Sequence, residues 1–406
     1  MIQTPSGDRL HISIFGRRNS GKSSLINALT GQDIAITSET PGTTTDPVAK
    51  TMEITPLGPV VITDTAGLDD EGELGQKRVE KSLKALERTD IGVLVVDARE
   101  TPGPWEDDII RRFTDRNIRC VLAINKCDLA GGEAWKTWAD ERKIASAGVC
   151  AISRENVPSL LGLIIAAAPA DFGEISLLGD LISPGDVVVM VTPIDQAAPK
   201  GRLILPQVMT IRDAIDSNAV CVVCRERELR HAIASLARPP KMVITDSQAF
   251  LKVVADTPPG VLLTSFSILM ARYHGDLESF VLGAQAIDRL RTGSRVLIAE
   301  ACTHHQQPDD IGKVQIPRWL RQYVGGELDI VFTNGRDFSK DVSTYDLIVH
   351  CGSCMMTRRE LMWRQHLANQ AGVPMTNYGV ALAKIHGILD RALEPFPLAR
   401  LALVSG

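Results

Sequence analysis

Two glycines, a lysine and a serine stand close together near the N-terminus, in the segment GRRNSGKS that runs from Gly16 to Ser23. The apolar run HISIF precedes this segment, and the helical pattern SLINAL follows it. Between a strand and a helix, glycines let backbone N–H groups turn towards phosphate oxygens, and the helix N-terminus adds a favourable dipole. Lys22 would neutralise the β- and γ-phosphates, and Ser23 would hold Mg²⁺. The segment predicts a nucleotide-phosphate site formed by Gly16, Asn19, Ser20, Gly21, Lys22, Ser23 and Ser24.

Two later segments carry groups that could reach a magnesium ion at this loop. The polar turn PGTTTD holds three consecutive threonines. We expect the central one, Thr44, to bind Mg²⁺ and approach the γ-phosphate, with the threonine on either side as an alternative. Asp64 ends the apolar strand VVIT, where its carboxylate would hold the magnesium shell, and the Gly67 backbone N–H would contact the γ-phosphate. The expected catalytic residues are Lys22, Ser23, Thr44, Asp64 and Gly67.

The segment NKCD, from Asn125 to Asp128, follows the apolar strand CVLAI and indicates which base is bound. The Asp128 carboxylate can accept hydrogen bonds from the ring N–H and the amino group of guanine, a pattern that adenine does not offer. Asn125 would bond the other edge of the base and brace the loop, and Lys126 lies between them. Further along, Cys150 and Ala151 occupy a position where the Ala151 backbone N–H would meet the guanine carbonyl. These residues predict a guanine-nucleotide site.

The four motifs, each at the end of a strand and in this order, resemble those of the TRAFAC-class GTPases over residues 8–172. Asn19 matches the asparagine that helps to bind K⁺ in potassium-dependent GTPases of the tRNA-modification type. Leu68 stands where Ras-like proteins have the glutamine that orients the attacking water. The resemblance therefore implies GTP or GDP with Mg²⁺ and K⁺ as cofactors, and hydrolysis that is slow or depends on K⁺, dimerisation or a partner.

Composition sets the broad class of the chain. With 406 residues, 44% hydrophobic and 23% charged, it has the make-up of an ordinary globular protein of two or three domains. The net charge of −5 gives no electrostatic argument for binding nucleic acid or an anionic membrane. The N-terminal residues lack the pattern of a signal peptide, and the longest apolar stretch is too short to cross a bilayer. We expect a cytoplasmic protein whose eight cysteines are reduced, so that clustered cysteines suggest metal.

Strand and helix patterns alternate through the rest of the chain, including a long helical stretch over 267–290, and this rhythm predicts parallel sheets covered by helices. We predict an α/β protein of three domains. A P-loop GTPase fold in residues 1–172 is followed by two parallel-sheet α/β domains, in residues 173–260 and 261–406. Cys221 and Cys224 form a CxxC pair in the middle domain, but they sit in a β-branched run and are interpreted as core residues.

Three cysteines in the last domain follow predicted strands. Cys302 comes after the run SRVLIAEA, and Cys351 and Cys354 come after YDLIV. The carboxyl ends of parallel strands meet at one edge of a sheet, so these thiols are expected to converge. The next segment, TRRE, is a capping box whose helix N-terminus and arginines would favour a negatively charged centre. Chemistry alone leaves a structural zinc site, a [4Fe–4S] cluster and no metal as alternatives.

The pattern Cys302-x-His304 followed by His350-Cys351-x-x-Cys354, after a GTPase domain, resembles the HydF family of [FeFe]-hydrogenase maturation GTPases over the whole chain. The resemblance implies a [4Fe–4S] cluster held by the three cysteines, with His304 and His350 at motif positions that could contribute a further ligand. It also implies a middle domain for dimerisation. A member of this family would be a homodimeric scaffold that carries a diiron precursor to apo-[FeFe]-hydrogenase and works with two radical-SAM maturases, without nucleic acid or membrane.

Two other functions fit part of the pattern. One is a ribosome- or tRNA-associated GTPase with a structural zinc site, although no stripe of lysine and arginine lies beside the cysteines in the sequence. The other is a regulatory, dimerising GTPase.

Overall fold

Runs of apolar and β-branched residues form parallel strands in both halves of the chain. The computed structural model describes residues 6–31, 36–40, 48–65, 84–169, 172, 175–193, 203–301, 310–335, 338 and 342–405. The chain divides into two compact units, Met1–Phe172 and Gly173–Gly406.

The first unit contains one sheet whose strands are β1 (Leu10–Phe15), β2 (Ile36–Thr40), β3 (Val48–Ile54), β4 (Gly58–Asp64), β5 (Ile91–Asp97), β6 (Arg119–Asn125) and β7 (Ala145–Val149). Its strand order is β2-β3-β4-β1-β5-β6-β7. The pairs β2–β3 and β3–β4 are antiparallel and the other pairs are parallel. The helices are α1 (Lys22–Thr30), α2 (Pro104–Asp115), α3 (Glu133–Glu141) and α4 (Val157–Ala166).

Helices cover both faces of this sheet, so its central strands are buried along their whole length. Every residue of β1 and β5 is buried, as expected for strands with helices on each side. On one face, Leu25 of α1 and Leu160 of α4 belong to the core. On the other face, Phe113 of α2 and Trp135 of α3 do so. The predicted P-loop GTPase fold is confirmed, and it brings the ends of β1, β4, β5, β6 and β7 to one edge.

The second unit contains two four-stranded parallel sheets. The first has the order β11-β10-β8-β9. Its elements are β8 (Val187–Val191), α5 (Leu205–Asp216), β9 (Val220–Cys224), α6 (Leu229–Ala234), β10 (Met242–Thr245), α7 (Phe250–Asp256), β11 (Leu262–Ser265) and α8 (Phe266–His274).

The second sheet has the order β13-β12-β14-β15. Its elements are α9 (Leu277–Ala284), β12 (Arg295–Glu300), α10 (Ile316–Val324), β13 (Asp329–Asn334), β14 (Leu347–His350), α11 (Arg358–Gln370), β15 (Met375–Asn377), α12 (Tyr378–Ile385), α13 (Leu389–Ala392) and α14 (Pro397–Ser405).

The two sheets share one hydrophobic core. Met190 and Ile244 from the first sheet and Leu297 and Ile348 from the second belong to the same buried cluster. Strand β11 lies beyond residue 260 and pairs with β10, so the predicted boundary falls inside the first sheet. Strand runs predict where sheets occur, whereas strand pairing decides which run joins which sheet.

The long helix expected over 267–290 is interrupted. Helix α8 ends at His274, and α9 begins at Leu277. Asp276 accepts hydrogen bonds from the backbone N–H groups of Glu278 and Ser279 and so caps a new helix. Gly275 and Asp276 interrupt the apolar pattern of 267–290, and the cap at Asp276 starts a new helix there.

The CxxC pair of the middle sheet lies on strand β9. Cys221 and Cys224 are both half-buried, and burial raises the pKa of each thiol. Cys221 packs against the larger core and Cys224 against the smaller cluster on the other face of that sheet, which agrees with the interpretation as core residues. In the part of the chain that the structure describes, no helix is long and apolar enough to span a bilayer.

Candidate functional site

The loop between β1 and α1 needs glycine at two positions because other backbone and side-chain atoms approach it closely. A Cβ on Gly16 would lie 2.4 Å from the Val95 carbonyl oxygen. A Cβ on Gly21 would lie 2.1 Å from Nδ2 of Asn125, and Gly21 also has a φ of +96°, which favours glycine. The two glycines therefore let the loop pack directly against β5 and the NKCD segment.

Lys22 and Ser23 begin helix α1 and point to different parts of the site. The Lys22 ammonium donates to the carbonyl oxygens of Gly16 and Arg17, at 2.9 and 2.8 Å, so it lies across the loop. Ser23 Oγ donates to Oδ2 of Asp64 at 2.7 Å. Strands β1 and β4 are neighbours, and this places the end of β4 beside the loop.

Asp64 and Ser23 supply the oxygen ligands that magnesium prefers. Burial raises the pKa of the Asp64 carboxyl, against the opposing effects of the Ser23 hydrogen bond and the Lys22 charge. Among the described residues, Asp64 Oδ1 is buried without a hydrogen-bond partner. A buried carboxylate oxygen with unused acceptor capacity beside a hydroxyl fits a Mg²⁺ site, in which both residues would contact the metal or its water shell.

Asn125 joins the phosphate loop to the segment that follows β7. Its Nδ2 donates to the Ser20 carbonyl at 2.9 Å, and its Oδ1 accepts from the Ala151 backbone N–H at 3.1 Å. The side chain thus has the loop-bracing geometry predicted for it, while the N–H predicted to meet guanine donates to Asn125. Cys150 is buried, and Asp128 is exposed at the edge of the site.

Lys126 connects the same loop to strand β5, through a residue that the sequence analysis missed. Its Nζ donates to the Asn19 carbonyl at 2.7 Å and to Oδ2 of Asp97 at 2.8 Å. Hydrogen bonds from Arg99, followed by those from Lys126, hold the pKa of the Asp97 carboxyl well below its usual range. Asp97 ends β5, and its position at a strand end was a signal for this role. The Asn19 side chain is exposed, and Ser24 is also exposed.

A contact between Arg17 and Glu106, which the sequence also did not predict, holds the other side of the phosphate loop. Arg17 makes two hydrogen bonds to the carboxylate of Glu106, at 2.7 and 2.8 Å, and its guanidinium lies 5.6 Å from the Trp105 ring centroid. Glu106 is buried in the first turn of α2, where it also accepts from the Gly103 N–H. The pair ties the phosphate loop to helix α2.

Several predicted site residues lie outside the described residues. They are Thr44, Gly67, Leu68, Cys302, His304 and His305.

The other two predicted thiolate ligands follow strand β14. Cys351 and Cys354 are both partly exposed. Cys351 Sγ accepts from the Ala301 backbone N–H at 3.1 Å, and Ala301 directly precedes Cys302 in the chain. Strands β12 and β14 are neighbours with Ala299 opposite His350. The Cys351 thiol thus lies beside Ala301, while the convergence of all three thiols stays a prediction because Cys302 lies outside the described residues. Soft thiolates at one sheet edge would suit zinc or an iron–sulfur cluster.

His350 is fully buried and uses both ring nitrogens. Nε2 lies 3.0 Å from Nη1 of Arg364, and Nδ1 lies 3.0 Å from the Cys351 carbonyl oxygen and 3.1 Å from Ser353 Oγ. Burial, followed by the Arg364 charge, lowers the pKa of the ring to about 3. The ring is therefore neutral at physiological pH and is enclosed by protein groups.

Buried acidic side chains lie behind the cysteines, and the sequence analysis did not identify them. Glu300 ends β12 and accepts from Tyr378 Oη at 3.4 Å, and Asp310 accepts from the backbone N–H groups of Gly312 and Lys313. Burial, followed by the charges of Cys351, Glu300 and Asp310, raises the pKa of Tyr378 well above its ordinary value. Within the described ranges, no group of three or more His, Cys, Asp or Glu side chains could hold a metal ion, and Cys302 lies outside those ranges.

The helix after the cysteine pair begins as predicted. Thr357 Oγ1 accepts from the Glu360 N–H at 3.1 Å and caps α11. The Arg358 guanidinium donates to the carbonyl oxygens of Arg272, Tyr273 and Gly275 at the C-terminal end of α8. Arg358 thus connects the cysteine segment to the first sheet's last helix.

Comparison with known families assigns most of the chain. A hydrogen maturase F dimerization domain matches residues 177–275, and a hydrogen maturase F tetramerization domain matches residues 278–395. A 50S ribosome-binding GTPase domain matches residues 11–126. The first unit is therefore a P-loop GTPase domain, and the second carries the two oligomerisation domains.

Curated relatives match the GTPase domain. The tRNA modification GTPase MnmE of Burkholderia mallei is 40% identical over 126 residues, which are 31% of this chain and 27% of that protein. The GTPase Der of Kosmotoga olearia is 38% identical over 127 residues, which are 30% of this chain and 28% of that protein. The chain thus spans little more than a quarter of the length of these relatives.

Two of the solved structures that match this chain are a tyrosine-to-alanine variant of Aquifex aeolicus Era bound to GDP and AlF4⁻ and the G domain of the Thermotoga maritima FeoB iron transporter. The Era match has 19% identity and a TM-score of 0.34, and it covers 56% of this chain and 98% of Era. The FeoB match has 19% identity and a TM-score of 0.31, and it covers 39% of this chain and 98% of the FeoB domain.

The two hydrogen maturase F domains together cover more than half of the 406 residues, and the chain belongs to the hydrogen maturase F family.

Proposed function

We propose that this chain is a GTP-hydrolysing scaffold that binds a [4Fe–4S] cluster and carries a diiron precursor to apo-[FeFe]-hydrogenase. The main support is that two hydrogen maturase F domains follow a GTPase domain in one chain. In this proposal the chain acts as a homodimer and receives its cargo through two radical-SAM maturases.

The nucleotide half of the proposal uses the residues at the strand ends of the first unit. Lys22 would contact the β- and γ-phosphates, and Ser23 with Asp64 would hold Mg²⁺, together with Thr44. Asp128 would recognise guanine beside Asn125. In this proposal the nucleotide state changes how partners bind or leave and does not drive chemistry at the cluster.

The cluster half of the proposal uses Cys302, Cys351 and Cys354. Three cysteine ligands would leave one iron of a [4Fe–4S] cluster with an exchangeable position, which suits a site that anchors a diiron cargo. The N–H donated by Ala301 to Cys351 Sγ supports this ligand set, since hydrogen bonds to ligating sulfur stabilise its negative charge.

Anaerobic reconstitution with iron and sulfide tests the cluster. We expect iron and sulfide to bind in equal amounts, with the optical and EPR spectra of a [4Fe–4S] cluster. Changing Cys302, Cys351 or Cys354 to Ser should abolish the cluster and leave GTP hydrolysis intact, whereas Cys221→Ser on strand β9 is the matched control. Stoichiometric zinc without a paramagnetic reduced cluster would refute the proposal and favour a GTPase with a structural zinc site.

Potassium dependence tests the role proposed for Asn19. We expect faster GTP hydrolysis in KCl than in NaCl at equal ionic strength, and Asn19→Ala should remove the difference. Asn27→Ala, an exposed change on helix α1, should retain it. Equal wild-type rates in the two salts would contradict this role.

A further inference from the structure

We propose that His350 positions the Cys351–Cys354 turn through Arg364 and does not bind cluster iron. This inference rests on the proposed function, because it concerns the same thiolate site. It changes the interpretation of one histidine in the motif from a candidate ligand to a positioning residue.

The hydrogen bonds of His350 determine which ring nitrogen carries the proton. An arginine side chain has only donors, so the contact between Arg364 Nη1 and His350 Nε2, at 3.0 Å, requires Nε2 to accept. In a neutral ring the proton is then on Nδ1, which faces the Cys351 carbonyl oxygen at 3.0 Å. One nitrogen donates and the other accepts, so neither has a lone pair left for iron.

The acceptor of that proton is the backbone of a proposed ligand. The Cys351 carbonyl also lies 3.3 Å from Nδ2 of Asn377 and 3.3 Å from Ser353 Oγ. Ser353 is fully buried and has a φ of +57°, a conformation that non-glycine residues adopt only when their surroundings hold them there. The side chains of His350, Asn377 and Ser353 therefore all contact the Cys351 carbonyl and hold the turn there. The Cys351 thiol accepts from the Ala301 N–H.

Arg364 extends this support into the rest of the sheet. It is buried on helix α11, and its Nη2 donates to the Gly335 carbonyl, just after β13, at 2.8 Å. Its guanidinium carbon lies 4.9 Å from the Phe338 ring centroid. The His350–Arg364 pair thus connects the cysteine turn after β14 to α11 and to the segment after β13, as the partners of metal-ligating residues commonly do.

Four variants distinguish positioning from ligation. His350→Asn keeps a side-chain N–H close to where Nδ1 lies but loses the contact with Arg364, so we expect it to retain iron better than His350→Leu and less well than the wild type. His350→Leu and Arg364→Met remove the support, and each should lose iron to a chelator roughly 10- to 100-fold faster. The double variant should be no faster than the faster single variant, and His366→Leu on the exposed face of α11 is the control.

Pulsed EPR of the reduced cluster gives the direct test of ligation. We expect the same nitrogen couplings in the wild type, in His350→Asn and in Arg364→Met. A strong nitrogen coupling that is lost in His350→Asn but kept in Arg364→Met would show that His350 binds iron and would overturn the inference.

The iron-free protein separates this inference from the proposed function. We expect His350→Leu and Arg364→Met to change the alkylation rate of Cys351 relative to Cys354 severalfold, as measured by mass spectrometry, and His350→Asn and Arg364→Lys to restore much of the wild-type ratio. If the wild type binds no cluster but this ratio responds, the positioning role stands and the proposed function fails. If the cluster binds and neither the ratio nor iron retention responds, the positioning role fails alone.

Discussion

Asn125→Ala tests whether Asn125 holds the nucleotide site together before any nucleotide binds. The change removes two buried hydrogen bonds, one to the Ser20 carbonyl and one from the Ala151 N–H. Both backbone groups belong to buried residues, and each buried group left unsatisfied costs about 1–3 kcal/mol. We therefore expect the nucleotide-free GTPase domain to lose about 3 kcal/mol of unfolding free energy, with GTP affinity falling as well.

Hydrogen exchange in the full-length, nucleotide-free protein measures this loss. A change of about 3 kcal/mol corresponds to amide exchange on the order of 100-fold faster in peptides from β1 and β6, if those amides exchange by global opening of the domain. Asn125→Asp keeps the acceptor for the Ala151 N–H but turns a buried carboxylate oxygen towards the Ser20 carbonyl oxygen, so we expect it to be at least as destabilising as Asn125→Ala at neutral pH.

Asn27→Ala is the matched control, since Asn27 is exposed and bonds only weakly to Lys50, at 3.3 Å. It should exchange like the wild type. The reasoning is refuted if Asn125→Ala also exchanges like the wild type without nucleotide while its GTP affinity falls, because Asn125 would then act only through the nucleotide.

Two further predictions concern a buried histidine and a loop glycine. His274 is buried, has no hydrogen-bond partner among the described residues, and has a pKa that burial, followed by the Arg358 charge, lowers to about 4. As the pH falls, His274 is therefore protonated in the unfolded chain before it is protonated in the folded protein, which destabilises the fold. Between pH 7 and 5 the wild type should lose about 2 kcal/mol more of its free energy of unfolding than His274→Phe, as measured by urea denaturation. Equal losses in the two proteins would contradict this pKa shift. Gly21→Ala should lower GTP affinity at least about tenfold, because the new Cβ meets Asn125 and the backbone has a left-handed conformation. Gly372→Ala is the control, since Gly372 also has a positive φ but a Cβ there has no neighbour within 4 Å, and its GTP affinity should be unchanged. Titration with a fluorescent GTP analogue measures both affinities.

Motifs of short span were predictable because their geometry is local. The loop from Gly16 to Ser23 and the cap at Thr357 depend on residues within one or two turns of each other. Their backbone conformation follows from glycine freedom and helix capping, which act over a few bonds. The strand runs that end at Asp64 and Asn125 were predictable for a similar reason, since apolar length and a following polar residue indicate a strand end.

Contacts between distant segments were not predictable in the same way. Arg17 and Glu106 are 89 residues apart, and nothing in the spacing of either residue indicates the other. Their pairing exists because α2 packs beside the phosphate loop. The break between α8 and α9 has a local cause instead, since Gly275 and the cap at Asp276 separate two apolar stretches that resemble one long helix.

The amino-acid sequence by itself determined the nucleotide chemistry and the candidate thiolates, because residue type and short spacing carry that information. Tertiary structure decided what each polar side chain is paired with. His350 shows the difference most clearly, since the motif makes it a candidate ligand. Only the fold brings Arg364 of α11, 14 residues later in the chain, to its Nε2. Burying the His350 ring without such partners would be costly.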